Sequence, residues 1–528
     1  MKNTFLLLFL VLQSAWVVGC GSMSSENGMG LAPLPVDPAF VSTSVTATKN
    51  PQVASYLVIT QRQDANVTVD FGLDTNYGLQ TWTQPVLHTS QGNRFKMLVA
   101  GMRAFTTYHM RARVDFSDGS QWLDADHTFT TGGLPTARVP QLTVTQPVGS
   151  QPNPGIELFD VAKFGGIPTT APVTAFASDL EGNIIWFDDL QDGTQLDYPF
   201  PLKLLPDGNF LIVIAGLSNS ISEINLAGDT VWQLSLADLD NSLTAAGFGL
   251  APSSFHHDIL PLPNGHLIVL ASENRTFNNL PGLPGATQVI GDALIDLDEN
   301  RKPVWTWSTF DHLDINRQPL GFPDWTHSNA VIYSPDDGNL ILSIRNQNWV
   351  IKINYKDSDG DGGILWRLGP GGDFTIPNGT PADFNYAQHY PVLIGPAKSG
   401  VFPLMMFDNG NNRLINGMVC DSPGAASCYS RPVVFQLDEA AKTAQIQWQD
   451  KVPAFSSCCG NINLLDNGNI EYDIAILTGA PQVSRIQEVT FDPVSPQLVW
   501  QMDLTGQLAY RAFRIPSLYP GVTWTQTP

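Results

Sequence analysis

The segment Leu204–Ile214, LLPDGNFLIVI, sets the fold because it recurs. Copies stand at Pro261–Leu270 (PLPNGHLIVL), Ser334–Ile344 (SPDDGNLILSI) and Leu464–Ile474 (LLDNGNIEYDI), with a looser one at Leu404–Ile415 (LMMFDNGNNRLI). Asp-Gly and Asn-Gly permit the positive φ of a tight hairpin turn, and an apolar strand follows each time. A second element alternates with the first: strand, turn, then a strand ending in Trp. It ends at Trp186, Trp232, Trp307, Trp366, Trp448 and Trp500. An indole there can cover the face between two neighbouring sheets. A small sheet that cannot bury both faces alone must stack on its copies, and radial stacking closes the ring. Six such units predict an all-β chain with a six-bladed β-propeller over residues 150–528. A linear solenoid would need shorter, more even repeats.

The composition agrees. In 528 residues, 14% are charged, while Gly and Pro number 45 and 39, the mark of a turn-rich β protein. With 27 basic and 49 acidic residues the formal charge is −22, which disfavours nucleic acid as a partner. An anionic substrate would need a local basic site. No glycine-rich phosphate loop or dinucleotide fingerprint is present, so no nucleotide or other cofactor is expected.

Ahead of the repeats, residues 40–133 carry short alternating strands (SYLVITQ, NVTVDFG, FKMLVAGM, TYHMRARVDF, HTFTT) separated by turns, which predicts a small β-sandwich. Val99–Val114 resembles the end of a fibronectin type III domain, with Tyr108 as its corner tyrosine and Met110, Ala112 and Val114 facing the core.

Lys2 and the apolar run Phe5–Val18 read as a targeting segment too short to span a bilayer comfortably. Val17-Val18-Gly19-Cys20 resembles the bacterial lipobox. That resemblance implies a lipoprotein signal peptide at 1–19, lipidation of Cys20, a tether over 20–39 and, without Asp at position 21, an outer-membrane destination on either the periplasmic face or the cell surface. An exported chain meets an oxidising compartment. Cys420 and Cys428 flank a short loop and are expected to pair; Cys458 and Cys459 then form a vicinal disulfide or stay reduced.

Polar residues interrupt the pattern at matching places. His256 and His257 precede ILPLPNG, His327 lies in DWTHSNAVIY, and His389 lies in NYAQHYP. Arg345 stands in LILSIRNQNWVIKIN, where it breaks an apolar strand. A lone histidine near a strand is ordinarily structural; three at matching positions with an arginine point to a site at the mouth of the channel. His266 and His312 lack that placement. Trp325, Tyr386 and Tyr390 are candidates for the wall of an aromatic pocket. Asp357, Asp359 and Asp361 resemble a calcium loop, but Leu368 stands where an EF-hand needs Glu, and no metal site is assigned.

FHHDILPLPNG, DWTHSNAVIY, ILSIRNQNWVIKIN, ILWRLG, AQHYP, FDNGNNR, SRPVVFQLD and AYRAFRIPSLY occur in family order, and on them residues 150–528 resemble the bacterial arylsulfotransferases. The resemblance implies nucleotide-independent transfer of a sulfuryl group from a phenolic sulfate ester to a phenolic acceptor through a sulfated histidine. By motif that histidine is His389. His327, Asn329 and Arg345 fall on the other site positions, and either His256 or His257 supplies the last. Arg345 suits two sulfonate oxygens. A neutral imidazole is a competent nucleophile, and a second histidine can move the phenol's proton. The alternatives are an aryl sulfatase using water and a non-catalytic lipid-anchored propeller binding a partner or glycan. Whether the chain forms a homodimer is left open.

Overall fold

The computed structural model describes residues 41–528, except 63, 91, 137, 163–172, 174, 190–197, 216–218, 421–427, 453–454 and 478–482. The expected signal peptide, Cys20 and the tether lie outside the described residues. Strand accounts for 53% and helix for 5%, so the chain is nearly all-β.

Two antiparallel sheets come first. Val41–Ala47, Ala54–Thr60, Gly92–Val99 and Leu87–Thr89 make one; the other is built on Thr107–Phe116 and Ala65–Gly72, with four shorter strands. Thr107–Phe116 alternates strictly, burying Tyr108, Met110, Ala112 and Val114. The Tyr108 hydroxyl accepts the Arg103 N–H at 3.0 Å and pins the turn that precedes the strand.

Six further antiparallel sheets of four or five strands follow. Their first strands are Tyr198–Leu204, Pro252–Pro261, Ser328–Ser334, His389–Leu393, Ile462–Leu464 and, from the end of the chain, Leu508–Ile515, which pairs with Ile156–Ala162. Successive sheets pack face to face, and the last meets the first. Neighbouring residues on one strand serve opposite interfaces: Leu211 packs toward the next sheet and Ile212 toward the previous one, as do Ile268 and Val269 in the same order. A strand buried on both faces has no polar side, which is why these runs are continuously apolar. The tryptophans lie on the fourth strands and reach across. Trp186 Nε1 donates to Leu226 O at 2.8 Å, Trp307 Nε1 to Gly362 O at 2.9 Å, and Trp500 Nε1 to Leu180 O at 3.0 Å, each in the following sheet.

Segments before and after the six sheets extend them. Gln141–Thr145 pairs with Leu498–Thr505 as a fifth strand. Beyond Ile515 the tail turns back to the N-terminal sheets, where Tyr519 accepts the Ala100 N–H at 2.8 Å and donates to Leu98 O at 2.9 Å. Trp524 Nε1 donates to Gln80 O at 2.9 Å.

Two sequence expectations are corrected. The looser copy at Leu404–Ile415 is not equivalent to the others: Asn409-Gly410 follows the second strand of its sheet, Val401–Asp408, instead of preceding it, and leads to an inserted hairpin of Arg413–Ile415 and Met418–Cys420. Arg345 is not inside a strand. Asn339–Ile344 ends before it, and Arg345–Gln347 forms a single 3-10 turn closed by Asn348 at φ 53°.

Candidate functional site

The first strands bring the conspicuous histidines to one place. His389 opens its strand and is 2% exposed. Its Nδ1 lies 2.7 Å from Asn409 Oδ1. Asn409 Nδ2 donates to Ser456 O and Cys459 O at 3.0 and 3.1 Å, which fixes the amide and leaves Oδ1 to accept. The His389 proton therefore sits on Nδ1 and the lone pair on Nε2. The Cys459 N–H confirms the assignment by donating to Nε2 at 3.2 Å. Burial, then the Arg345 charge, holds His389 well below the ordinary histidine pKa, against the opposing Asn409 hydrogen bond.

His256 and His257 separate in space. His257 turns at φ 55°, and its ring centroid lies 4.6 Å from His327 and 5.8 Å from Tyr510. His256 stands behind it: the two Nδ1 atoms are 2.8 Å apart, and His256 Nε2 is 3.3 Å from Asp292 Oδ1. Burial works to raise the Asp292 carboxyl, but His256, Thr326 and the Ser328 N–H outweigh it and keep the group ionised. Burial and the neighbouring His327, His256 and His389 hold His257 well below its ordinary pKa. His327, at φ 48°, sets Nδ1 2.5 Å from Asp324 Oδ2.

Arg345 spends two of its nitrogens on the frame: Nη1 donates to Asn346 Oδ1 at 2.7 Å and Nη2 to Ser457 O at 3.0 Å. Its buried Nε–H has no partner among the described residues. An unmatched guanidinium donor beside a neutral histidine with a fixed lone pair suits an anionic group placed between them.

A model of the arylsulfotransferase (ASST) family matches residues 150–511. The chain belongs to the arylsulfotransferase family. No curated protein matches it. Among solved structures, a protein of unknown function from Bacteroides caccae is 10% identical, covers 68% of this chain and 98% of its own, and has a TM-score of 0.38. A Synechocystis apocarotenoid oxygenase is 11% identical, covers 87% of this chain and 80% of its own, and has a TM-score of 0.28. At these values neither likeness speaks to activity.

Asn329, one residue into its strand, is fully buried and donates through Nδ2 to Gln388 O at 2.7 Å, tying its strand to that of His389. Four contributors were missed from the sequence: Arg511, Tyr510, Asn409 and Asp292. Arg511 is fully buried and donates through Nη2 to Asn329 O at 2.6 Å and His257 O at 3.3 Å, so one guanidinium sets two site strands. Burial would lower its pKa, but Asp258, Tyr510, Tyr390 and Asp160 raise it instead. The available signal was a charged residue inside the apolar strand AYRAFRI.

Other candidates stand apart. Trp325 stacks on Phe310 and donates to Arg317 O, a packing role. The Tyr386 hydroxyl donates to Pro381 O. Tyr390 lies under Arg511 and faces a separate cavity of about 470 Å³, also lined by Lys203 and Phe513. His266 binds Asp296, and His312 stacks on Trp307. Cys420 is bonded to Cys428, as expected, and Cys458 to Cys459. Asp361 is occupied by Asn354 and the Gly363 N–H, and Asp357 accepts the Tyr333 hydroxyl. Among the described residues no group of three ligands could hold a metal ion.

Proposed function

We propose that this chain transfers a sulfuryl group from a phenolic sulfate ester to a phenol through a sulfated His389. The observation that carries the reading is the fixed lone pair on His389 Nε2, set by Asn409 from the other side of the ring. Nε2 attacks sulfur, the N–S bond forms as the S–O bond to the aryl group breaks, and the phenolate departs. His327, with Nδ1 engaged by Asp324, gives that phenolate a proton in its protonated form and takes one from the incoming phenol. The phenol oxygen then attacks sulfur and frees His389. The Arg345 Nε–H and His257 face the sulfonate and meet the charge that builds on its oxygens. His256 and Asp292 act through His257 by orienting its ring.

The six stacked sheets are read as a six-bladed propeller with the site at the entrance of its channel, and the N-terminal sheets as a fibronectin type III-like module. The closure of the first and last sheets and the Tyr108 corner support those readings. Export as an outer-membrane lipoprotein rests on the Cys20 motif; two disulfides suit an oxidising compartment.

The test is incubation with 4-nitrophenyl sulfate, with and without phenol and with no nucleotide. Acceptor-dependent release of 4-nitrophenolate is expected. Release independent of acceptor would make the protein a sulfatase, and none with any aryl sulfate would leave only a binding role.

A further inference from the structure

The segment Ser456–Gly460 runs beside the nucleophile, and most of its backbone polar groups are engaged. Ser456 O and Cys459 O accept from Asn409, Ser457 O from Arg345, and Cys458 O from the Ser456 hydroxyl at 3.1 Å. Gly460 N donates to Tyr510 O at 3.0 Å, and Cys459 N donates to His389 Nε2. One turn therefore touches the nucleophile, its orienting amide, the arginine and Tyr510.

The turn is also conformationally unfavourable. Cys459 adopts φ 67°, a left-handed region that residues other than glycine enter only at a steric cost. Gly460 follows at φ 90°, where an added Cβ would come within 2.5 Å of Asp473 O. The Cys458–Cys459 bond closes a small ring around their shared peptide and restricts it to this shape. Cys459 is buried and packs with Tyr510, Ala475 and Leu508, whereas Cys458 is half-buried on the accessible side.

We propose that the Cys458–Cys459 disulfide is a dithiol-reducible site that latches the turn onto His389. In the oxidised form the Cys459 N–H covers Nε2. Resting on the sulfated-histidine reading above, that N–H passes to a sulfonate oxygen once Nε2 carries the group, so the latch supplies a donor to the transferring sulfonate. A small dithiol opens the latch. One of its thiolates attacks Cys458 Sγ and displaces the Cys459 thiolate, which takes up a proton. The second thiol then displaces Cys458 as a thiol, leaving two cysteine thiols and the oxidised reductant as a cyclic disulfide. The freed turn leaves its left-handed conformation and withdraws the amide.

The experiment compares the protein as isolated, the protein after dithiothreitol, and Cys458→Ser/Cys459→Ser, whose response to dithiothreitol reports the Cys420–Cys428 bond alone. Cysteine alkylation mapped by mass spectrometry must show that Cys458 and Cys459 become reduced; persistent protection from alkylation overturns the proposal. The rate at which diethyl pyrocarbonate modifies His389 reads the latch without any sulfate chemistry. It is expected to rise several-fold on reduction and in the double variant. An unchanged rate overturns the latch. Turnover of 4-nitrophenyl sulfate is expected to fall roughly tenfold or more on reduction, the loss typical of one donor to a developing anion. A rise would mean that the amide only obstructs, which overturns the donor role. If His389 labelling responds and no form turns over any aryl sulfate, the latch stands and the sulfotransfer reading fails.

Discussion

His389 and Asn409 are joined by one hydrogen bond of 2.7 Å that decides which imidazole nitrogen can act. Because Asn409 is itself held by Ser456 O and Cys459 O, its amide cannot flip without losing two bonds. The lone pair on Nε2 is thus a property of two strands and a turn.

Asn409→Ala removes that orientation. Turnover should fall by roughly 10²-fold, the scale of a misplaced proton-transfer or nucleophilic group. Steady-state kinetics with 4-nitrophenyl sulfate and phenol measures it, with a melting curve alongside to separate loss of the site from loss of fold. Near-normal kcat in a folded variant would show that the tautomer is set otherwise.

The two adjacent histidines should differ in effect. His257 borders His327 and Tyr510, while His256 lies behind it against Asp292. His257→Ala is expected to lower kcat/KM by roughly 10²-fold or more. His256→Ala should cost clearly less, since it acts through the ring of its neighbour. The reverse order in parallel assays would mean that His256 reaches the substrate.

At Arg345 the conservative change should not be conservative. Lys lacks the planar fork that serves Asn346, Ser457 and a sulfonate together. Arg345→Lys should lose roughly 10²-fold in kcat/KM for an aryl sulfate. Retention within a few-fold would place the sulfonate elsewhere.

The pKa shifts of His257 and His389 carry a sign. Both lie well below the ordinary value of 6.5, so the neutral form persists as pH falls through that value and protonation begins only at lower pH. Hydrogen–deuterium exchange at the imidazole Cε1–H, followed by mass spectrometry across pH, reads each ring. Inflections well below 6.5 are expected for both; an inflection at or above it in either ring contradicts the burial argument.

The junction with the N-terminal sheets has its own test. Tyr519→Phe would leave the buried Ala100 N–H unpaired. It should destabilise the protein by about 1–3 kcal/mol in denaturant unfolding. An unchanged midpoint would mean that the tail does not hold the two parts together.

Much of this was legible because it is local. The Gly turns and doubly buried runs such as Leu211–Ile214 announce stacked sheets, and His256, His257, His327, Arg345 and His389 stand out against them. What escaped is long-range or depends on a turn. Asp292 meets His256 from another strand of its sheet, and Arg511 reaches Asn329 across 182 positions. Asn409 resembled a repeat turn in FDNG, yet it follows the second strand and serves His389. Arg345 sat in an apolar run that predicted strand, although its 3-10 turn is what sends Nη2 to Ser457.

The proposed transfer stands or falls on whether His389 carries the sulfuryl group. The most direct measurement is to mix the protein with 4-nitrophenyl sulfate in the absence of acceptor, quench, digest and map the sulfo adduct by mass spectrometry. An adduct is expected on His389 that disappears on adding phenol and is absent from His389→Ala. An adduct on another residue, or one that persists in His389→Ala, would contradict the proposed transfer.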